Sequence, residues 1–168
     1  GDAAVGLRQL ADAMAAHAAP DAPPSDETIE RYLRPVPRLR AGLLLGRNRI
    51  PTSGMDLSDG LADGLRQLAQ ASDVGISIAA DALPIGDAVR AWCAQHGRDP
   101  VELALHGGDD YELLFTVRRG AARRLAAVRR LLGELPITRI GVVTRARDLL
   151  VQDARGTRPI GRGFEHFS

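Results

Sequence analysis

The chain has 168 residues, 45% hydrophobic and 26% charged, which suits one globular domain, or one domain with a helical appendage, and suffices to bury a core. Its 22 basic residues against 21 acidic ones leave a formal net charge of +1, so no global field draws it to nucleic acid or to a membrane surface. Every basic residue is arginine, and the absence of lysine excludes both a Walker-type phosphate loop and the protein-kinase arrangement, each of which needs a lysine on the phosphates.

Cys93 is the only cysteine, so no intrachain disulfide can form, and a free, packed thiol is the expectation. The longest apolar run, Ala41 to Leu45, falls far short of the ~20 residues a spanning helix requires, and no signal peptide is visible. A soluble, cytoplasmic protein is predicted. The chain opens GDAAVGL, without an initiator methionine and already in helical pattern, so it reads as a fragment of a larger protein.

Val5, Leu7, Leu10 and Met14 fall at near-helical spacing and predict a first helix from Asp2 to His17, ended by the prolines between Ala19 and Pro24. Ser25 is placed to cap a second helix that Pro35 and Pro37 close, and a short third helix is expected over Leu39 to Leu45. Residues 1–49 therefore read as a helical arm that packs on the main domain or on a missing N-terminal domain. Residues 50–168 read as an α/β domain.

Within that domain, Thr52 to Leu57 is a short strand, and Leu61, Leu65, Leu68 and Ala69 form the inward face of a helix starting near Gly60. Val74, Ile76 and Ile78 alternate as a strand; Asp87 to Gln95 is a helix stopped by Gly97. Asp99, Pro100 and Glu102 have the order of an N-cap, a first helical residue and a capping-box acid, which starts a helix running to about Leu105. Tyr111 to Val117 is a largely buried strand, Ala121 to Leu132 a helix, Ile137 to Val143 another strand, and Leu149 to Ile160 a hairpin around Asp153 to Gly156. Strands mixed with helices in this order predict an α/β (α+β) sandwich built on a mixed sheet.

Two acid-rich, glycine-punctuated segments carry the chemistry. MDLSDGL, Met55 to Leu61, sets Asp56, Ser58 and Asp59 at a strand-to-helix turn, with Asp56 and Ser58 on one face of the strand, about 7 Å apart. Ser58 or Asp59 can cap the following helix, yet one capping residue suffices. Two carboxylates held 4 Å apart repel by ~4 kcal/mol at an effective dielectric near 20, so a hard divalent cation beside them is the second reading. Gly60 lets an anion such as a phosphate approach the free amides of the helix N-terminus. In the other segment Gly107 and Gly108 precede Asp109 and Asp110, either as an exposed turn or as acids aimed at a ligand. The four histidines share no zinc-site spacing, with His106 the one candidate for another role. Phe164 and Phe167, in the terminal GFEHF, are expected to dock on the core or to stack on a planar substrate.

Taken in order, GDAAVGL, RPVPR at Arg34 to Arg38, MDLSDGL, ALHGGDDYELLF and GFEHF resemble the thiamine-monophosphate kinase family, within the aminoimidazole-ribonucleotide synthetase superfamily. The resemblance runs along the whole chain and covers the C-terminal portion of such an enzyme. It implies a cytoplasmic phosphotransferase that moves the γ-phosphate of ATP onto thiamine monophosphate with Mg2+, giving thiamine diphosphate. By motif match Asp56 and Asp59 are implied as magnesium ligands, Ser58 and Gly60 as ATP contacts, and Asp109 and Phe164 as substrate contacts. Asp109 stands where the family usually has glutamate, one methylene longer, so a bridging water is the implied substitute. The resemblance further implies a homodimer at full length, with an N-terminal domain that supplies more aspartates. Its alternatives are another synthetase or kinase of the superfamily, or a non-catalytic binding domain that keeps the fold.

Overall fold

The computed structural model describes residues 1–15 and 27–161. Along them run α1 (Asp2–Ala15), α2 (Glu27–Leu33), α3 (Leu39–Arg47), β1 (Pro51–Leu57), α4 (Leu61–Ser72), β2 (Gly75–Ala79), α5 (Asp87–Gln95), α6 (Pro100–His106), β3 (Glu112–Val117), α7 (Ala122–Leu132), β4 (Gly141–Thr144), β5 (Leu149–Asp153) and β6 (Gly156–Pro159). No helix among the described residues is long and apolar enough to cross a membrane.

The strands form two ladders. β1 pairs antiparallel with β3, while the second sheet has the order β4-β2-β5-β6, with β2 parallel to β5 and its other pairs antiparallel. The α/β class with a mixed sheet is thus what forms. The β1–β3 ladder separates two cores because successive strand residues point to opposite faces. Met55, Leu57 and Leu114 pack toward α4 and the larger sheet, in a core with Leu65, Ile78, Leu105 and Val151. Leu113 and Phe115 point the other way, toward Leu45 of α3 and Val128 and Leu132 of α7. Fully burying a side chain such as Ile78 contributes ~1.5–3 kcal/mol.

A third cluster joins α1 to α5 through Val5, Val89, Trp92 and Cys93. α1 also crosses α2 closely: a Cβ on Gly6 would lie 2.1 Å from the Thr28 carbonyl oxygen, so only glycine fits there. Trp92 is stacked on His96 with ring centroids 4.2 Å apart, and the Arg8 guanidinium lies 5.9 Å from its centroid. Cys93 is fully buried, and burial pushes its thiol above the ordinary range, with Asp99 adding to the effect. Since the thiolate is the nucleophile, Cys93 is expected to resist iodoacetamide at pH 8 in the native protein and to react once denatured. Mass spectrometry before and after adding denaturant reads this, and native labelling would contradict it.

Several expectations shift. The strand predicted at Ile137–Val143 forms only at Gly141–Thr144, since Pro136 cannot donate to a ladder and Ile137 packs with Leu135 into the second core instead. Tyr111 precedes β3 and is exposed, with φ 49. Glu102 completes no capping box: it binds Arg158 at 2.5 Å, while Asp99 does cap α6, accepting from the Val101 amide at 2.7 Å. The predicted end of the first helix at His17 and the cap at Ser25 fall outside the described residues, as do Phe164 and Phe167.

Candidate functional site at the junction of two glycine-rich turns

β1 delivers its last residues to the N-terminus of α4, which lies tight on the strand because Gly64 has no side chain: a Cβ there would stand 2.7 Å from Leu57 Cδ2. Met55 and Leu57 take the buried face of β1, so Asp56 takes the exposed one. α6 packs on α4 and brings the second motif to the same place. The Asp109 amide donates to the Ser58 carbonyl at 2.7 Å, and the Tyr111 amide to Leu57 at 2.9 Å. The two segments singled out in the sequence therefore meet.

Glycines make that meeting possible. Gly60 has φ 101 and ψ 164, a conformation essentially reserved to glycine, and a Cβ on it would lie 2.9 Å from the Gly107 carbonyl oxygen. A Cβ on Gly108 would lie 2.8 Å from the Ser58 carbonyl. Past them the backbone is left-handed at Asp109, φ 65, and at Tyr111, φ 49. A short polar residue such as aspartate tolerates this conformation better than most, whereas tyrosine does not; each such residue costs ~1–3 kcal/mol and persists only where its surroundings fix it.

The acids of the junction divide by role. Asp110 is spent on structure, accepting from the Gly1 nitrogen and from the Ala3 amide at 3.1 Å, and so holding the start of α1. Asp56 and Asp59 are exposed and Asp109 is half-buried, and among the described residues none of these three carboxylates makes a side-chain hydrogen bond or ion pair. Neither Ser58 nor Asp59 caps α4, whose N-cap is Gly60 and carries no side-chain cap bond. The capping explanation for these residues thus fails on geometry, and the first amides of α4 stay open. A second hollow, about 300 Å3, also holds acids, but there Arg158 pairs with Glu102 and Asp153. His106 turns its Nε2 to Glu102, 3.4 Å away.

Beside Asp56 opens an apolar cavity of about 470 Å3 lined by Pro35, Pro37, Leu39, Leu43, Tyr111 and Leu113, with Arg38 at its edge. Leu39 and Leu43, one turn apart on α3, are 72% and 59% exposed, and Leu33 and Val36, earlier in the chain, are exposed as well. Arg38 grips Glu112 with both prongs, its Nε 3.1 and 3.0 Å from the two carboxylate oxygens and its Nη2 2.6 Å from the first. This link between RPVPR and DYELLF was missed at the level of sequence. Its only signal there is an arginine held by flanking prolines.

Asp56, Asp59 and Ser58 offer hard oxygen donors whose side chains make no hydrogen bond or ion pair among the described residues, which fits a divalent cation. No group of three or more His, Cys, Asp or Glu side chains among the described residues could hold an ion alone. Remaining oxygens would come from phosphate, water or other parts of the protein.

The chain belongs to a known domain class: residues 6–153 match the family model AIR synthase related protein, C-terminal domain, and the chain is a member of that family. Within it, the chain is 36% identical to thiamine-monophosphate kinase of Escherichia coli (strain K12), covering 100% of this chain and 50% of that protein, and 34% identical to thiamine-monophosphate kinase of Aquifex aeolicus (strain VF5), covering 83% and 41%. The crystal structure of thiamine-monophosphate kinase from Stenotrophomonas maltophilia K279a superposes with a TM-score of 0.75 at 35% identity, over 90% of this chain and 46% of that one. AaThiL complexed with AMPPCP and TMP gives a TM-score of 0.77 at 31% identity, over 99% and 48%. The chain spans about half the length, or less, of these relatives.

Proposed function

We propose that this chain is the C-terminal half of a thiamine-monophosphate kinase, a cytoplasmic enzyme that phosphorylates thiamine monophosphate with ATP to give thiamine diphosphate. The observation that carries the reading is the convergence of MDLSDGL and GGDDYELLF on one junction, where, among the described residues, three carboxylates have no side-chain partner and the α4 N-cap carries no side-chain cap bond. A relative captured with an ATP analogue and TMP supports the substrate pair.

In this reading Asp56 and Asp59 hold Mg2+, which supplies positive charge for phosphate oxygens. The open amides beginning at Gly60 receive a phosphate group, and Ser58 adds a hydroxyl donor from the same turn. Asp109 faces the acceptor, directly or through water, and Phe164 contacts it from the tail. None of these groups abstracts a proton or forms a covalent intermediate: transfer between two polyanions is accelerated chiefly by in-line positioning and charge stabilisation. The upstream half of the protein covers the exposed apolar side chains Leu39 and Leu43, adds further acids, and makes most of the homodimer contact.

The test is turnover. Full-length protein with Mg2+, ATP and thiamine monophosphate is expected to yield ADP and thiamine diphosphate, while the 168-residue chain alone yields none at any concentration tested. Product from the short chain would overturn the division of labour, and no product from the full-length enzyme would overturn the assignment.

A further inference from the structure

We propose that Arg38 is a positioning residue: through its two-pronged grip on Glu112 it fixes the 109–111 turn against Ser58, and so presents Asp109 to the phosphoryl acceptor. The second half of this statement rests on the function proposed above; the first half rests on geometry alone. The turn holds two left-handed non-glycine residues, Asp109 and Tyr111, so it needs fastening from outside. Three fastenings are present among the described residues. Backbone bonds tie Asp109 to Ser58 and Tyr111 to the end of β1, the Asp110 carboxylate ties the turn to the start of α1, and Glu112, next to Tyr111, is tied to Arg38. Of these, the Arg38–Glu112 pair reaches across from the loop between α2 and α3, and Arg38 lines the same cavity as Asp56 and Tyr111.

The chemistry of the pair suits holding more than binding. A planar guanidinium engaging both carboxylate oxygens fixes direction as well as distance, which an ammonium cannot do. Its charge is matched by Glu112, so Arg38 does not serve as a free phosphate ligand. Arg38 and Glu112 lie 74 positions apart, and both are partly shielded, with side chains 22% and 41% exposed. Loss of either partner loosens the same turn, so their effects should not add.

In the full-length protein, Arg38→Ala is expected to speed amide exchange at residues 109–111 by about tenfold and to raise KM for thiamine monophosphate by about tenfold, with KM for ATP changed less than about twofold. Glu112→Ala should do the same, the double variant no more than either, and Arg38→Lys should recover only part. Arg147→Ala, which breaks the exposed Arg147–Asp73 pair at the C-terminal end of α4, should leave exchange at the turn unchanged. Unchanged exchange at 109–111 in a folded Arg38→Ala or Arg38→Lys protein overturns the proposal. So does faster exchange that leaves both KM values unaltered, or that raises both alike. If the wild-type enzyme does not phosphorylate thiamine monophosphate, the functional assignment falls and amide exchange alone decides the fastening.

Discussion

Asparagine in place of Asp59 is expected to lower turnover of the full-length enzyme by about a thousandfold while changing its stability by less than ~1 kcal/mol. The substitution keeps the shape of the side chain and removes its charge. Asp59 is exposed, makes no side-chain hydrogen bond or ion pair among the described residues, and does not cap α4. Folding therefore has little to lose, and removing one of two neighbouring acids relieves repulsion. What disappears is the negative charge proposed to hold Mg2+. Wild-type protein should melt at a higher temperature when Mg2+ and a nonhydrolysable ATP analogue are both added, because a ligand that binds only the native state stabilises it by mass action. The Asp59→Asn protein should show little of that gain. A variant that fails to fold would return Asp59 to a structural role, and one that keeps full turnover would remove it from the site.

The contrast with Asp110 shows what a sequence can and cannot reveal. The elements were legible because their periods are clean: Ile76 and Ile78 alternate, Leu61, Leu65 and Leu68 repeat as a helix, and Asp99–Pro100 is a local signal read by a local bond. The placement of MDLSDGL on a strand-to-helix turn followed from the same patterns. Which acid does what was not legible, because it is decided by partners far along the chain. Asp110 is spent on the start of α1, 107 positions from Ala3, while its neighbour Asp109 keeps a carboxylate without a side-chain partner among the described residues. No spacing rule separates two adjacent aspartates. The same holds for Arg38 and Glu112, and for the Ser58–Asp109 bond that joins the motifs. The displaced start of β4 has a different origin: Ile137 satisfies a strand pattern but is claimed by the second core, so packing overrides local propensity.

Gly60 combines a positive φ with a close backbone contact at the junction, and Gly60→Ala is expected to lower stability by about 3 kcal/mol or more and to abolish turnover. Two costs combine. The backbone sits at φ 101, ψ 164, which a residue with a Cβ adopts only under strain, and the new Cβ would lie 2.9 Å from the Gly107 carbonyl and 3.3 Å from that of Leu105. Those are backbone atoms and cannot swing aside, so relief requires α4 and the 107–109 segment to separate. Separation breaks the Asp109–Ser58 contact that joins the two motifs, and activity goes with it. Two controls isolate the terms. Gly97 also has positive φ, 61, but nothing within 4 Å of its Cβ position, so Gly97→Ala should pay about 1–2 kcal/mol of backbone strain only. Gly120 has ordinary φ and open space, so its alanine variant should be near neutral. Thermal melts of the three variants should rank Gly60→Ala lowest, then Gly97→Ala, then Gly120→Ala. If Gly60→Ala melts with Gly97→Ala and retains turnover, the close approach of the two glycine turns is not what holds the site together.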